Sequence, residues 1–311
     1  MNSVQDIPSR AASGAGIGTS EGVDECWLDL DGARMRYLRA GSGPPLLLLH
    51  GLMGYSFSWR YAMPALAPYA AVFAPDLLGA GFSDRPKGLD HSMRATALRV
   101  LRFADRLGLE TFDLLGTSRG GAVAMSAAAE SLHAMSGGRP RVQRLVLVCP
   151  VNPYSPHGRR LAPFFGTPLG AAMFRFGMNR MPFLYPYVHG RLYADRSKIP
   201  AGSLEGYKAP LAIPGLFDHA LSIVETWTAD LREVEALLPR LASIPTLLMW
   251  GSKDPAVYVS SLEPLAAHFH NLQTIVFLGI GHLPYEECVE EFNQALIKFL
   301  TGDRGYGSVK S

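Results

Sequence analysis

Six short apolar runs recur along the chain, and their texture constrains the kind of sheet it can build. They are LLLLHG (46–51), AVFAPD (71–76), TFDLLG (111–116), VQRLVLVCP (142–150), PTLLMWG (245–251) and TIVFLG (274–279). A strand that is apolar throughout, rather than at alternate positions, has both faces buried, as strands do inside a parallel sheet covered by helices. Helical candidates lie between the runs. Met93, Ala97, Val100, Leu101, Ala104 and Leu107 mark one side of 93–107; an alanine-rich stretch fills 119–134; others span 257–268 and 288–300, the last with Val289, Phe292, Leu296 and Phe299. This alternation predicts an α/β fold, a mostly parallel sheet with helices on both faces. Ahead of it, 26–30 and 35–39 flank Asp31 and Gly32, the turn chemistry of a hairpin.

One interval breaks the rhythm. From Cys149 to Thr246 the chain is too long for a crossover and too apolar for a disordered loop. We read 153–240 as an inserted helical cap, with 23–152 and 241–302 forming the core around it. Ligands of open α/β sheets bind at the carboxyl ends of the strands, so the insertion would roof the site. Phe164, Phe165, Phe183, Tyr185, Tyr187 and Trp227 are its candidates for the pocket lining. An insertion that merely stabilises or dimerises is the plainer reading, and it leaves a homo-oligomer open. Residues 1–22, rich in Gly, Ser and Ala, read as a flexible arm: no apolar strand precedes the glycines and no patterned helix follows, so a nucleotide loop is not expected. Residues 303–311 read as a flexible tail.

Composition narrows the classes of function. Lys plus Arg number 29 and Asp plus Glu 27, a net charge of +2, which offers no evident surplus for a nucleic-acid face or a polybasic membrane patch. No apolar stretch is long enough to span a membrane, and the first residues lack the basic head and apolar core of a signal peptide. Cys26, Cys149 and Cys288 are odd in number and far apart, which suits reduced thiols and a cytoplasmic setting. With no HExxH pair and no CxxC spacing, neither a metal nor another cofactor is expected.

Three residues follow strands in this reading: Ser118, Asp254 and His282. A serine hydroxyl attacks a carbonyl only if an imidazole takes its proton, and the imidazole works best when a carboxylate fixes its tautomer. Gly116 and Gly120 leave room for a strand to reverse tightly into a helix around residue 118, while Gly121 keeps the helix close to the sheet. A loop serine, a capping aspartate and a core histidine are the plain alternatives, with Asp218 and Asp230 the rivals to Asp254. In HGLMG (50–54), Gly51 precedes Leu52, whose amide can turn towards the site; the Arg119 amide stands at a helix N-terminus beside the serine. Two such donors would hold an oxyanion.

With these residues assembled, the chain resembles the α/β-hydrolase superfamily over approximately 25–300. The likeness rests on HGLMG, PDLLGAGFSDRP (75–86), GTSRGG (116–121), GSKDP (251–255) and GHLPYEE (281–287). The resemblance implies an eight-stranded, mostly parallel core with a helical cap after the sixth strand, Ser118 as nucleophile, His282 as base, Asp254 as its partner, and Leu52 and Arg119 as oxyanion amides. Haloalkane dehalogenases and most soluble epoxide hydrolases of this build carry an aspartate where this chain has Ser118. Carbon–carbon hydrolases of ring-cleavage products often carry a tryptophan where it has Leu283. Arg119 departs from the usual Met, Leu or Gln; its side chain either points away or pairs with an acidic group. The expected function is a serine esterase or related acyl hydrolase acting on a small, largely apolar molecule. A carbon–carbon hydrolase and a non-catalytic binding protein are the alternatives.

Overall fold

The computed structural model describes residues 21–132, 140–155, 162, 164–180 and 184–302. Most of the expected arm (1–20), the tail 303–311 and Phe183 lie outside the described residues. The strands are β1 Val23–Leu30, β2 Ala33–Ala40, β3 Pro45–Leu49, β4 Ala71–Pro75, β5 Phe112–Thr117, β6 Val142–Val148, β7 Thr246–Gly251 and β8 Leu272–Phe277. They form one sheet in the order β1-β2-β4-β3-β5-β6-β7-β8. β1 runs antiparallel to β2, and β2 to β4; the other five pairings are parallel.

The hairpin turn places Asp31 at φ 57° and Gly32 at φ 85°, the two left-handed residues that a tight β1–β2 connection needs. Asp29 Oδ1 accepts the Gly32 N–H at 2.9 Å and pins the turn. In β3 and β6 the apolar runs do what their texture requires: Leu46 to Leu49 and Leu145 to Val148 are fully buried, successive residues pointing to opposite faces. Both faces of the central sheet are therefore covered. The helix Met93–Arg106 begins where Ser92 Oγ accepts the Ala95 N–H at 3.2 Å, and it packs on the helix Arg119–Ser131. On another side, Val289–Thr301 packs on the short helix Ala62–Leu66.

Between β6 and β7 lies the helical insertion, with helices Pro168–Arg180, Leu184–Gly190, Ser203–Lys208 and Leu216–Leu237. The last packs back onto Arg119–Ser131 and seats the cap on the core. Three stretches differ from expectation. The helix expected over 257–268 is a 3-10 turn, Val259–Ser261, running into Leu262–Ala266. The 3-10 turn Ser56–Trp59 and the helix Ala62–Leu66 went unread, because elements of fewer than two turns leave no periodicity to detect. Among the described residues no helix is long and apolar enough to cross a membrane.

Candidate active site

Ser118 sits at the junction of β5 and the helix Arg119–Ser131 with φ 52° and ψ −124°, a conformation that L-residues rarely adopt. Its surroundings enforce it. The Ser118 N–H donates to Val148 O at 2.9 Å, and its carbonyl accepts from Val151 N at 2.9 Å and Gly121 N at 3.0 Å, which ties the turn to the end of β6. The glycines are there for clearance: a Cβ on Gly116 would lie 2.2 Å from Gly120 O, and one on Gly120 would lie 2.4 Å from His50 O. Gly121 packs against Pro150, and a Cβ on Gly51 would stand 3.5 Å from Ser118 Oγ, so the serine side chain faces the HGLMG loop.

Asp254 and His282, from the loops after β7 and β8, meet at 2.8 Å between Oδ2 and Nδ1. Asp254 Oδ1 is held separately by the Ala256 and Val257 N–H groups at 2.8 and 2.9 Å. One carboxylate oxygen is thus fixed by backbone, and the other accepts a hydrogen bond from His282 Nδ1–H, leaving Nε2 without a proton in the neutral ring. His282 and Ser118 both line one cavity. No hydrogen bond joins the two side chains among the described residues. The rivals are engaged elsewhere. Asp218 is exposed and paired with Arg175, and Asp230 accepts from Met93 N at 3.1 Å and Thr226 Oγ1 at 2.8 Å.

His50 braces the loop that holds Leu52. Its Nε2 accepts the Leu77 N–H at 3.0 Å and its Nδ1 faces Gly51 O at 2.9 Å; burial pushes its pKa down, so the ring is neutral. Leu52 lines the cavity, and neither the Leu52 nor the Arg119 backbone N–H finds a protein acceptor among the described residues. The Arg119 side chain points away from the cavity. It is buried, its Nη2 donates to His91 O at 2.6 Å and to Thr96 Oγ1 at 3.3 Å, and burial lowers its pKa to about 10, opposed by the charge of nearby Asp230.

The cavity has a volume of about 400 Å³. From the core it is lined by Val151, Leu283 and Tyr285, and from the cap by Phe165, Phe174, Tyr185, Val188 and Trp227. Two expected lining residues are placed otherwise. Phe164 and Tyr187 are exposed and do not line it, because residues adjacent on a helix point in different directions and an aromatic carries no sign of which way it faces.

A second set of residues was missed from sequence. Glu286 is buried, and its carboxylate takes Arg60 Nη1 at 3.0 Å and Nη2 at 2.6 Å, Tyr193 Oη at 2.7 Å, Ser203 Oγ at 2.9 Å and the Tyr207 hydroxyl. Burial pushes its pKa up, but Arg60 and the hydroxyls outweigh it and hold the carboxyl below its usual value. Glu287 takes Gly281 N at 3.0 Å, Ala194 N at 3.1 Å and Asp195 N at 3.3 Å, and His282 N–H donates to Leu192 O at 2.7 Å. Residues 192–195 of the cap are thereby bound to the loop that carries His282. In GHLPYEE the two acids stand four and five residues past the histidine, and nothing in the sequence distinguishes them from surface acids.

Among the described residues one set could hold a metal ion: Cys149, Asp254 and His282 bring ligand atoms within 4.8 Å of one another. Cys149 is a poor ligand as it stands, since burial and the Asp254 charge raise its thiol well above the usual range.

Residues 44–206 match the family model of the alpha/beta hydrolase fold, and the chain belongs to that family. Haloalkane dehalogenase 2 of Mycobacterium tuberculosis is 28% identical over 287 residues, covering 88% of this chain and 93% of its own. The 2-hydroxymuconate semialdehyde hydrolase of Pseudomonas sp. (strain CF600) is 27% identical over 275 residues, with 86% and 91% covered. A solved structure, the meta-cleavage product hydrolase from Pseudomonas fluorescens IP01, matches with a TM-score of 0.68 at 25% identity over 86% of this chain and 94% of that one. Fold and relatives together make the protein an α/β-fold hydrolase.

Proposed function

We propose that the chain is a serine hydrolase that cleaves a carboxylic ester, or a related acyl bond, of a small and largely apolar substrate through an acyl-enzyme at Ser118. The observation that carries this is Ser118, held on a strained turn at the same apolar cavity as a histidine whose Nδ1 is fixed by Asp254. His282 Nε2 takes the hydroxyl proton as Oγ attacks the carbonyl, and Asp254 supports the imidazolium that forms. The Leu52 and Arg119 amides receive the oxyanion. The proton returns to the leaving alcohol, and water releases the acid by the same route.

One relative is named a haloalkane dehalogenase, but Ser118 supports attack at a carbonyl. Serine attack on an alkyl carbon would leave an ether that water does not release, whereas an acyl-serine hydrolyses. Two relatives named for semialdehyde or meta-cleavage products favour a second reading, hydrolysis of a carbon–carbon bond next to a carbonyl by the same residues. The test is a p-nitrophenyl ester, with a phosphonate probe read by intact mass. A burst of product equal to the enzyme concentration is expected, lost in S118A and smaller above medium acyl length. Full activity in S118A sinks both readings. Probe labelling on Ser118 without ester hydrolysis, but with cleavage of a vinylogous diketone, makes the carbon–carbon hydrolase the better one.

A further inference from the structure

The near balance of charge in the whole chain conceals a local excess. Segment 164–200 carries Arg175, Arg180, Arg191, Arg196 and Lys198 against Asp195 alone, and since Arg175 is paired with Asp218 from outside the segment, a surplus of three remains, where the entire chain nets +2. The same segment turns apolar side chains outward. On the helix Pro168–Arg180, Leu169, Met173 and Phe176 follow the i, i+4, i+7 spacing of one helical face, and they are 67%, 55% and 64% exposed. The helix Leu184–Gly190 packs beside it and exposes Tyr187 and Val188, the second of which also lines the cavity. Arg191 Nη1 reaches Tyr187 Oη at 3.4 Å, and the Arg196 guanidinium lies 5.7 Å from the Tyr187 ring centroid.

Charge decides what such a surface suits. A symmetric second copy would set one basic segment against another, at a cost. An anionic surface meets both features at once. We propose that this face of the cap docks on an anionic lipid bilayer, with Leu169, Met173 and Phe176 entering the boundary between headgroups and acyl chains and the basic side chains meeting lipid phosphates. The docking proposed is peripheral; no described helix is long and apolar enough to cross a membrane. Val188 belongs both to the docking face and to the cavity wall, so an apolar substrate held in the bilayer is close to the site when the cap is docked.

The full chain is sedimented with phosphatidylcholine vesicles, with and without phosphatidylglycerol, beside L169S/M173S/F176S, R191E/R196E and S118A. Retention on the phosphatidylglycerol vesicles is expected, falling with added salt and at least about tenfold weaker on phosphatidylcholine alone. Both surface variants should lose about tenfold or more, with thermal midpoints near wild type. S118A should bind as wild type does, which separates docking from hydrolysis. The charge-reversed pair is the arm to read should the triple variant unfold. No retention on either vesicle, equal retention on both, or retention indifferent to R191E/R196E overturns the proposal. So does a wild-type dimer in size exclusion that the triple variant dissolves, which would identify the apolar face as a contact between copies.

Discussion

At the scale of single residues the Asp254 carboxylate shows how much can ride on one atom. Oδ1 is held by two backbone N–H groups, so Oδ2 has one task, to accept the hydrogen bond from His282 Nδ1–H. Asparagine at 254 keeps the size and loses the charge. D254N should lower the acylation rate constant by several decades, of the order of the ~10⁴ lost to the equivalent change in serine proteases. Stopped-flow ester kinetics would measure it; a near-normal D254N with an inactive D230N would transfer the role to Asp230. The candidate site was legible in sequence to the extent that strand ends are. Ser118, Asp254 and His282 each follow an apolar run, and strand ends of a parallel sheet converge on one edge. What a side chain faces was not legible. Phe165 and Phe164 are neighbours in sequence, yet one lines the cavity and the other meets solvent. Glu286 reads as an ordinary surface acid until Arg60, far away in sequence, is brought to it.

At the scale of elements, Glu286 fastens the cap to the core: Arg60 belongs to the core, and Tyr193, Ser203 and Tyr207 to the insertion. Removing one partner of a buried ion pair leaves the other without compensation. E286A should therefore cost about 3–5 kcal/mol of stability in urea unfolding, and E286Q less, because an amide still accepts from the hydroxyls. A loss of under about 1 kcal/mol in E286A would mean that the fastening contributes little. The central strands β3 to β7 were legible because two-sided burial leaves an apolar run, whereas β8, read the same way, lies at the sheet edge with Val276 exposed. The cap helices were legible only as an apolar length, because they bury some aromatics towards the cavity and expose others, and that division blurs the helical period.

At the scale of the whole molecule, core and cap meet across a pair of buried histidines. His91, ahead of the helix Met93–Arg106, and His219, on Leu216–Leu237, approach to 3.0 Å between their Nδ1 atoms. Burial, with the charges of Arg99 and Arg119, lowers His91 to about 4; burial, with His91, Arg119, His50 and Arg85, lowers His219 to about 2. Asp90 is the acidic group that opposes this at His91. The unfolded chain therefore binds more protons than the folded one below about pH 6.5, and stability falls as pH drops through that window. By pH 5 the loss should be on the order of 2 kcal/mol for one such histidine. Urea unfolding at pH 7 and pH 5 would measure it, and H219Q should flatten the difference; a wild type equally stable at both would contradict it. The strap at 192–195 has a consequence of another kind. It belongs to the cap, yet Leu192 O and the acceptors of Glu287 hold the backbone of the loop bearing His282. Roof and histidine loop are interlocked: displacing that part of the cap means breaking the hydrogen bonds that position the His282 backbone.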